Sequence, residues 1–176
     1  DTVSAARDMD VIRAVLGESK LNYMGFSYGT FLGTTYASVF PQRVGRFVLD
    51  GAIDPTVSDE DQSANQLKAF DQALRNYLQD CLTAKRDECP FTGSVDSAMK
   101  RITAWYKQLE TRSLSTSLSG RKLTISGGIT GLIMTLYSEE YWQYTTRAFA
   151  EGFKGDGTMF LQLADFYNDR KSDGTY

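Results

Sequence analysis

At 176 residues, with 41% hydrophobic and 23% charged side chains, the chain is long enough for one ordinary globular domain with a real core. A formal charge of -3, with acidic and basic residues interspersed, argues against nucleic acid or an anionic membrane as the main partner. No apolar run approaches the roughly 18 residues that span a bilayer, and the first residue is Asp1 rather than methionine, which suggests processing or cleavage ahead of it.

The elements change character near Asp54-Pro55, which divides the chain into an α/β part over 1–54 and a helical part over 55–176. Val3 to Leu16 carries Val3, Met9, Ile12, Val15 and Leu16 at helical spacing, with Gly17 placed to cap the C-terminus. Lys20 to Phe26 reads as a strand and Tyr28 to Phe40 as a helix, ended by Pro41. Gly29, Gly33 and Ala37 recur every four residues, so one face of that helix can lie close against a sheet. Val44 to Leu49 is the next strand, and strand, helix, strand closes naturally as a parallel pair.

Ser58, followed by three acids, opens a helix that runs through Leu67, Phe70, Leu74, Tyr77, Leu78 and Cys81. Ser94 opens another, and Ser113 to Ser119 reads as a loop or irregular ribbon. Further helices are expected over Ile129 to Tyr137, Glu139 to Phe153 and Thr158 to Arg170. Cys81 and Cys89, seven residues apart and followed by Pro90, either close a local disulfide loop or remain two reduced thiols. Two cysteines without histidine cannot form an ordinary structural zinc site, and no phosphate or dinucleotide loop implies an organic cofactor.

Gly25-Phe-Ser27-Tyr-Gly29 stands between the first strand and the second helix, where a serine hydrolase displays its nucleophile. At such an elbow the serine backbone is strained, side chains at the two glycine positions would collide with neighbouring elements, and the next N–H, here that of Tyr28, faces a developing oxyanion. A tight turn with two structural glycines and a solvent-facing serine would show the same residues. The chain has no histidine, so the proton acceptor such a serine needs is not among these residues.

Tyr23-Met-Gly-Phe-Ser-Tyr-Gly-Thr-Phe-Leu-Gly and Phe40-Pro-Gln-Arg-Val-Gly-Arg-Phe-Val-Leu-Asp-Gly-Ala-Ile-Asp-Pro together resemble the tripeptidyl aminopeptidase branch of the α/β-hydrolase serine peptidases, exported bacterial proteins related to the prolyl aminopeptidases. The likeness is densest over residues 1 to 55. It extends through Cys81, Cys89-Pro90, Tyr141-Trp142 and Asp173-Gly-Thr-Tyr, which are similar to that branch's helical lid.

The resemblance implies part of an α/β-hydrolase fold (strand, nucleophile elbow, helix, strand) followed by a mainly helical cap. Ser27 would be the nucleophile, Tyr28 would supply one oxyanion N–H, and Cys81 and Cys89 would be joined. A peptide would be the substrate, and no metal or cofactor is called for. The second oxyanion donor and the catalytic Asp and His are expected in remaining parts of the same hydrolase, outside this chain.

Asp50, just after the second strand, is a candidate triad acid, although the family pattern favours a later one. An aminopeptidase must also hold a free α-ammonium, for which Glu139 and Glu140, beside Tyr141 and Trp142, are candidates. These acids equally suit the first turn of a helix capped by Ser138. An esterase or lipase, or an inert fragment or accessory binding module, shares the same elbow. Two strands and one intervening helix would leave sheet edges unpaired, so these residues are expected to fold against further protein.

Overall fold

The computed structural model describes residues 1–84 and 88–176. It forms two compact units, Asp1–Ala64 and Asn65–Tyr176, the division falling inside a helix and later than the Asp54-Pro55 turn.

The first unit opens with α1 (Thr2–Val15), whose N-terminus is capped by the Asp1 carboxylate accepting the Ser4 N–H at 2.7 Å. Gly17, at φ +73, lets the chain leave the helix. Strands β1 (Leu21–Phe26) and β2 (Val44–Asp50) pair in parallel, with Tyr23 opposite Phe47, Gly25 opposite Leu49 and Phe26 opposite Asp50. Helix α2 (Tyr28–Val39) covers one face of this pair. Gly33 allows the approach, since a Cβ there would stand 2.7 Å from the Tyr23 ring. The side chains of Met24, Phe26 and Val48 alternate onto the other face and are exposed.

Helices α1 and α2 are joined through a buried carboxylate. Asp10 accepts from the Arg13 side chain at 2.8 Å and from the Tyr36 hydroxyl at 3.1 Å, and it pairs with Arg43 in the 3₁₀ turn Pro41–Arg43. The Arg13 hydrogen bond is the main reason that its carboxyl lies below the ordinary aspartate value, against the opposing effect of burial. Tyr36, fully buried, packs its ring against Phe40 and Phe47.

Among the described residues, five helices carry the second unit. They are α3 (Asp59–Thr83), which begins in the first, α4 (Val95–Thr111), α5 (Ile125–Leu136), α6 (Trp142–Gly152) and α7 (Thr158–Tyr167). Ser94 and Ser97 close a reciprocal capping box at the start of α4. Trp105 anchors the core: its ring meets Phe149, Phe153 and Phe160 at centroid distances of 5.9, 6.1 and 5.0 Å, and its indole N–H donates to the Gly152 carbonyl. Trp105 and Tyr106 are therefore packing residues, the Tyr106 hydroxyl donating to the Gly128 carbonyl. Cys81 and Cys89 form a disulfide with Cα atoms 5.2 Å apart, which settles the choice that their spacing left open.

Several boundaries differ from the sequence expectation. Helix α5 starts at Ile125 rather than Ile129: Thr124 caps it, and Gly128 and Gly131 are buried where the helix packs closely on its neighbours. The single helix expected from Glu139 is a 3₁₀ turn over Glu139–Tyr141 followed by α6. Helix α7 stops at Tyr167, and Asp169 adopts φ +53 rather than continuing it. Within the serine-rich stretch, β3 (Leu114–Ser115) pairs antiparallel with β4 (Lys122–Leu123).

Candidate active site

Ser27 is the junction between β1 and α2. It is exposed, and its backbone lies at φ 51, ψ -119, one of two non-glycine residues with positive φ among the described residues. A residue with a Cβ is held in that region only where its surroundings over-determine it, and such strain gathers at functional sites. Here the hydrogen bonds do the holding. The Ser27 N–H donates to the Asp50 carbonyl at 3.0 Å, and the Ser27 carbonyl accepts from the Thr30 N–H at 2.9 Å and the Thr30 hydroxyl at 2.7 Å.

The flanking glycines differ in how strictly they are required. A Cβ on Gly25 would lie 2.5 Å from the Gly29 carbonyl oxygen and 2.7 Å from the Tyr23 ring, so the elbow's two ends touch backbone to backbone. On Gly29 it would meet only the Tyr23 hydroxyl, at 3.2 Å. That hydroxyl donates to the Gly29 carbonyl at 2.7 Å and braces the turn from beneath. Burial raises the Tyr23 phenol above its ordinary value. The sequence reading did not single out Tyr23 or Thr30.

Tyr28 is the first residue of α2, so its N–H has no acceptor within the helix and lies at the positive end of the helix dipole. Its side chain is exposed, with the hydroxyl 2.9 Å from that of Thr2. Asp50 meets Ser27 through its carbonyl; its carboxylate makes no hydrogen bond or ion pair among the described residues. Asp54 closes the following turn by accepting both the N–H and the hydroxyl of Thr56, which hold its carboxyl below the ordinary value.

Glu139 and Glu140 lie in the second unit, exposed on their 3₁₀ turn. They line a hollow of about 440 Å³ with Asp80, Glu88, Trp142 and Thr146. Ser138 caps that turn as its sequence context suggests, receiving the Glu140 N–H at 3.4 Å. No group of acidic or cysteine side chains that could hold a metal ion occurs among the described residues. No helix among them is long and apolar enough to cross a membrane.

Residues 1–87 match the family described as alpha/beta hydrolase fold. Over 99% of its length the chain is 40% identical to serine protease Hip1 of Mycobacterium tuberculosis, and it is likewise 40% identical to carboxylesterase B of the same species. It is 56% identical to tripeptidyl aminopeptidase of Streptomyces lividans over 55 residues, which is 31% of this chain and 10% of that protein. The chain spans about a third of the length of the first two relatives, 34% and 33% respectively.

Proposed function

We propose that this chain supplies the nucleophile and lid of a bacterial serine hydrolase that cleaves peptides near their N-termini, with Ser27 as the attacking residue. The observation that carries this reading is the backbone of Ser27, held at positive φ between β1 and α2 with a free helix N-terminus behind it. The Ser27 Oγ attacks the scissile carbonyl carbon while a histidine on another part of the full protein takes its proton, this chain having none. The tetrahedral oxyanion is met by the Tyr28 N–H and a second donor from outside the chain. Collapse expels the amine with the proton returned by the histidine, leaving an acyl-enzyme on Ser27 that water hydrolyses.

Glu139 and Glu140 receive the substrate's free α-ammonium in this reading. Support comes from the hollow they share with Asp80 and Glu88, walled by the Trp142 ring, where a cation is favoured over an acylated terminus. The Cys81–Cys89 disulfide supports export to an oxidising compartment. A second reading, ester hydrolysis, is favoured by the equal identity to a carboxylesterase, and the elbow chemistry serves both.

The test labels the full-length protein with a fluorophosphonate, beside Ser27→Ala, and then compares tripeptidyl amides with short acyl esters. The expected result is one adduct, on Ser27, with at least about 10³-fold loss of turnover in the alanine variant. Equal labelling or turnover of Ser27→Ala would remove Ser27 from the chemistry. Turnover of esters alone would replace the peptidase by the esterase.

A further inference from the structure

The Ser27 carbonyl and the Tyr28 N–H belong to one planar peptide group, so whatever fixes the carbonyl also aims the N–H. That carbonyl accepts two hydrogen bonds from a single residue, the Thr30 N–H at 2.9 Å and the Thr30 hydroxyl at 2.7 Å. The hydroxyl oxygen in turn accepts the Ile53 N–H at 2.9 Å. A continuous chain thus runs from the backbone beyond β2, through the Thr30 hydroxyl, to the carbonyl side of the peptide whose other side faces the oxyanion position. Thr30 is fully buried, so water does not compete for these bonds.

Back-bonding of this kind is common on helices, and α2 provides its own comparison. Thr34 and Thr35 both donate to the Phe31 carbonyl, at 2.9 and 2.8 Å, and Ser38 donates to the Thr34 carbonyl. Those carbonyls lie further along the helix, away from Ser27. Thr30 differs in the carbonyl it reaches and in the second bond that ties its hydroxyl to another segment.

We propose that Thr30 is a positioning residue for the reaction at Ser27, its hydroxyl orienting and polarising the Ser27–Tyr28 peptide so that the Tyr28 N–H is a directed oxyanion donor. Hydrogen bonds in series strengthen one another, by about 10–30% per bond in condensed-phase estimates. A carbonyl held on its oxygen side leaves the N–H of the same peptide a better donor. The inference rests on the reading of Ser27 as nucleophile.

The test uses the full-length enzyme and four variants, Ser27→Ala, Thr30→Val, Thr30→Ser and Thr34→Val. Readouts are kcat and KM on a tripeptidyl amide, melting temperature, and inhibition by phenylboronic acid, whose adduct with the serine places an oxygen at the oxyanion position. Removing a whole oxyanion donor costs about 10²–10³-fold in kcat, so misaiming one is expected to cost about 10-fold or more. Thr30→Val should lower kcat by that factor with KM within about 2-fold, and weaken the boronate in parallel. Thr30→Ser should restore both to within about 3-fold, and Thr34→Val should change neither.

The inference is overturned if Thr30→Val retains wild-type kcat, or if kcat falls while boronate inhibition is unchanged. It is equally overturned if Thr30→Ser is as impaired as Thr30→Val, which would assign the loss to packing of the methyl group. If Thr30→Val does not fold, wild-type kcat and boronate affinity in Thr30→Ala decide against the proposal, and parallel losses in it, relieved in Thr30→Ser, decide for it. Activity in Ser27→Ala, or turnover of neither amides nor esters by the wild type, would instead overturn the nucleophile reading and this inference with it; a wild type that turns over esters alone is put through the same comparison on the ester.

Discussion

The two units solve the burial problem in opposite ways. Asn65–Tyr176 closes on itself: Tyr77, Phe91, Trp105, Phe149 and Phe160 are all nearly or fully buried in one continuous aromatic and aliphatic core. Asp1–Ala64 does not, for its sheet has two strands, one face carries exposed Met24, Phe26 and Val48, and α1 with the residue that follows it exposes Val11, Ile12, Val15 and Leu16. Its few fully buried side chains, Ala6, Thr30 and Tyr36, lie between α1, α2 and the sheet. The unit that displays the candidate nucleophile is thus the one whose apolar surface calls for more protein. A two-stranded sheet with a bare apolar face is marginal alone, whereas a closed helical core is not.

The largest expected effect follows from separating them. A polypeptide of residues 58–176, keeping α3 whole with its Ser58 start, should unfold cooperatively and give fixed aromatic signals in near-ultraviolet circular dichroism. Residues 1–64 alone should show neither. Cooperative folding of 1–64 would mean that the contrast in burial does not govern stability.

Within the first unit, Gly25→Ala should be far more damaging than Gly29→Ala. The first sets a Cβ 2.5 Å from a backbone carbonyl oxygen, while the second meets a hydroxyl at 3.2 Å that can move aside. Displacing a reacting group by about 1 Å can cost on the order of 10²-fold in rate. Fluorophosphonate labelling of the full-length protein should therefore slow by about that factor in Gly25→Ala and much less in Gly29→Ala. Equal effects would show that the elbow does not depend on the approach of its two ends.

The elbow was legible because its determinants are local: a strand-like run, a serine between glycines, and a helix with small residues every four positions. The identity of what each glycine avoids was not. Gly25 is confined by the backbone of Gly29 and the ring of Tyr23, and the Thr30 hydroxyl bonds an N–H at Ile53, none of which a spacing rule reveals. Glu139 and Glu140 stood out for their neighbours in sequence, yet Asp80 and Glu88, which share their hollow, come from a distant segment. The start of α5 lies four residues before the expected Ile129, at a Thr124 cap that the sequence reading did not use.

An intermediate effect separates the units by redox state. The Cys81–Cys89 bridge closes a loop eight residues in sequence separation, and in the chain-entropy model that is worth about 2–3 kcal/mol. Cys81→Ala with Cys89→Ala should lower the urea midpoint of residues 58–176 accordingly. The labelling rate of Ser27 in the folded full-length protein should not change. A labelling rate that falls with the bridge would make the two units functionally less independent than their burial suggests.

The smallest effect concerns acid. Asp165 receives two hydrogen bonds from Arg121, at 2.5 and 2.7 Å, and these hold its carboxyl below the ordinary aspartate value, with Arg170 adding to the same direction. A carboxyl whose folded pKa is depressed binds fewer protons folded than unfolded, so its contribution is complete above the unfolded value near 3.9 and lost as pH falls through the folded one. For a partly exposed pair this amounts to about 1 kcal/mol or less. Residues 58–176 should lose stability as pH drops from about 5 toward 2, and Asp165→Asn should flatten part of that slope while lowering stability at pH 7. Asp156 and Asp173, each held by a threonine two residues on, are lowered as well, so a slope should persist in the variant. If Asp165→Asn leaves both the slope and the pH 7 stability untouched, the Arg121 pair is geometry without energetic consequence, and the second unit rests on its apolar core alone.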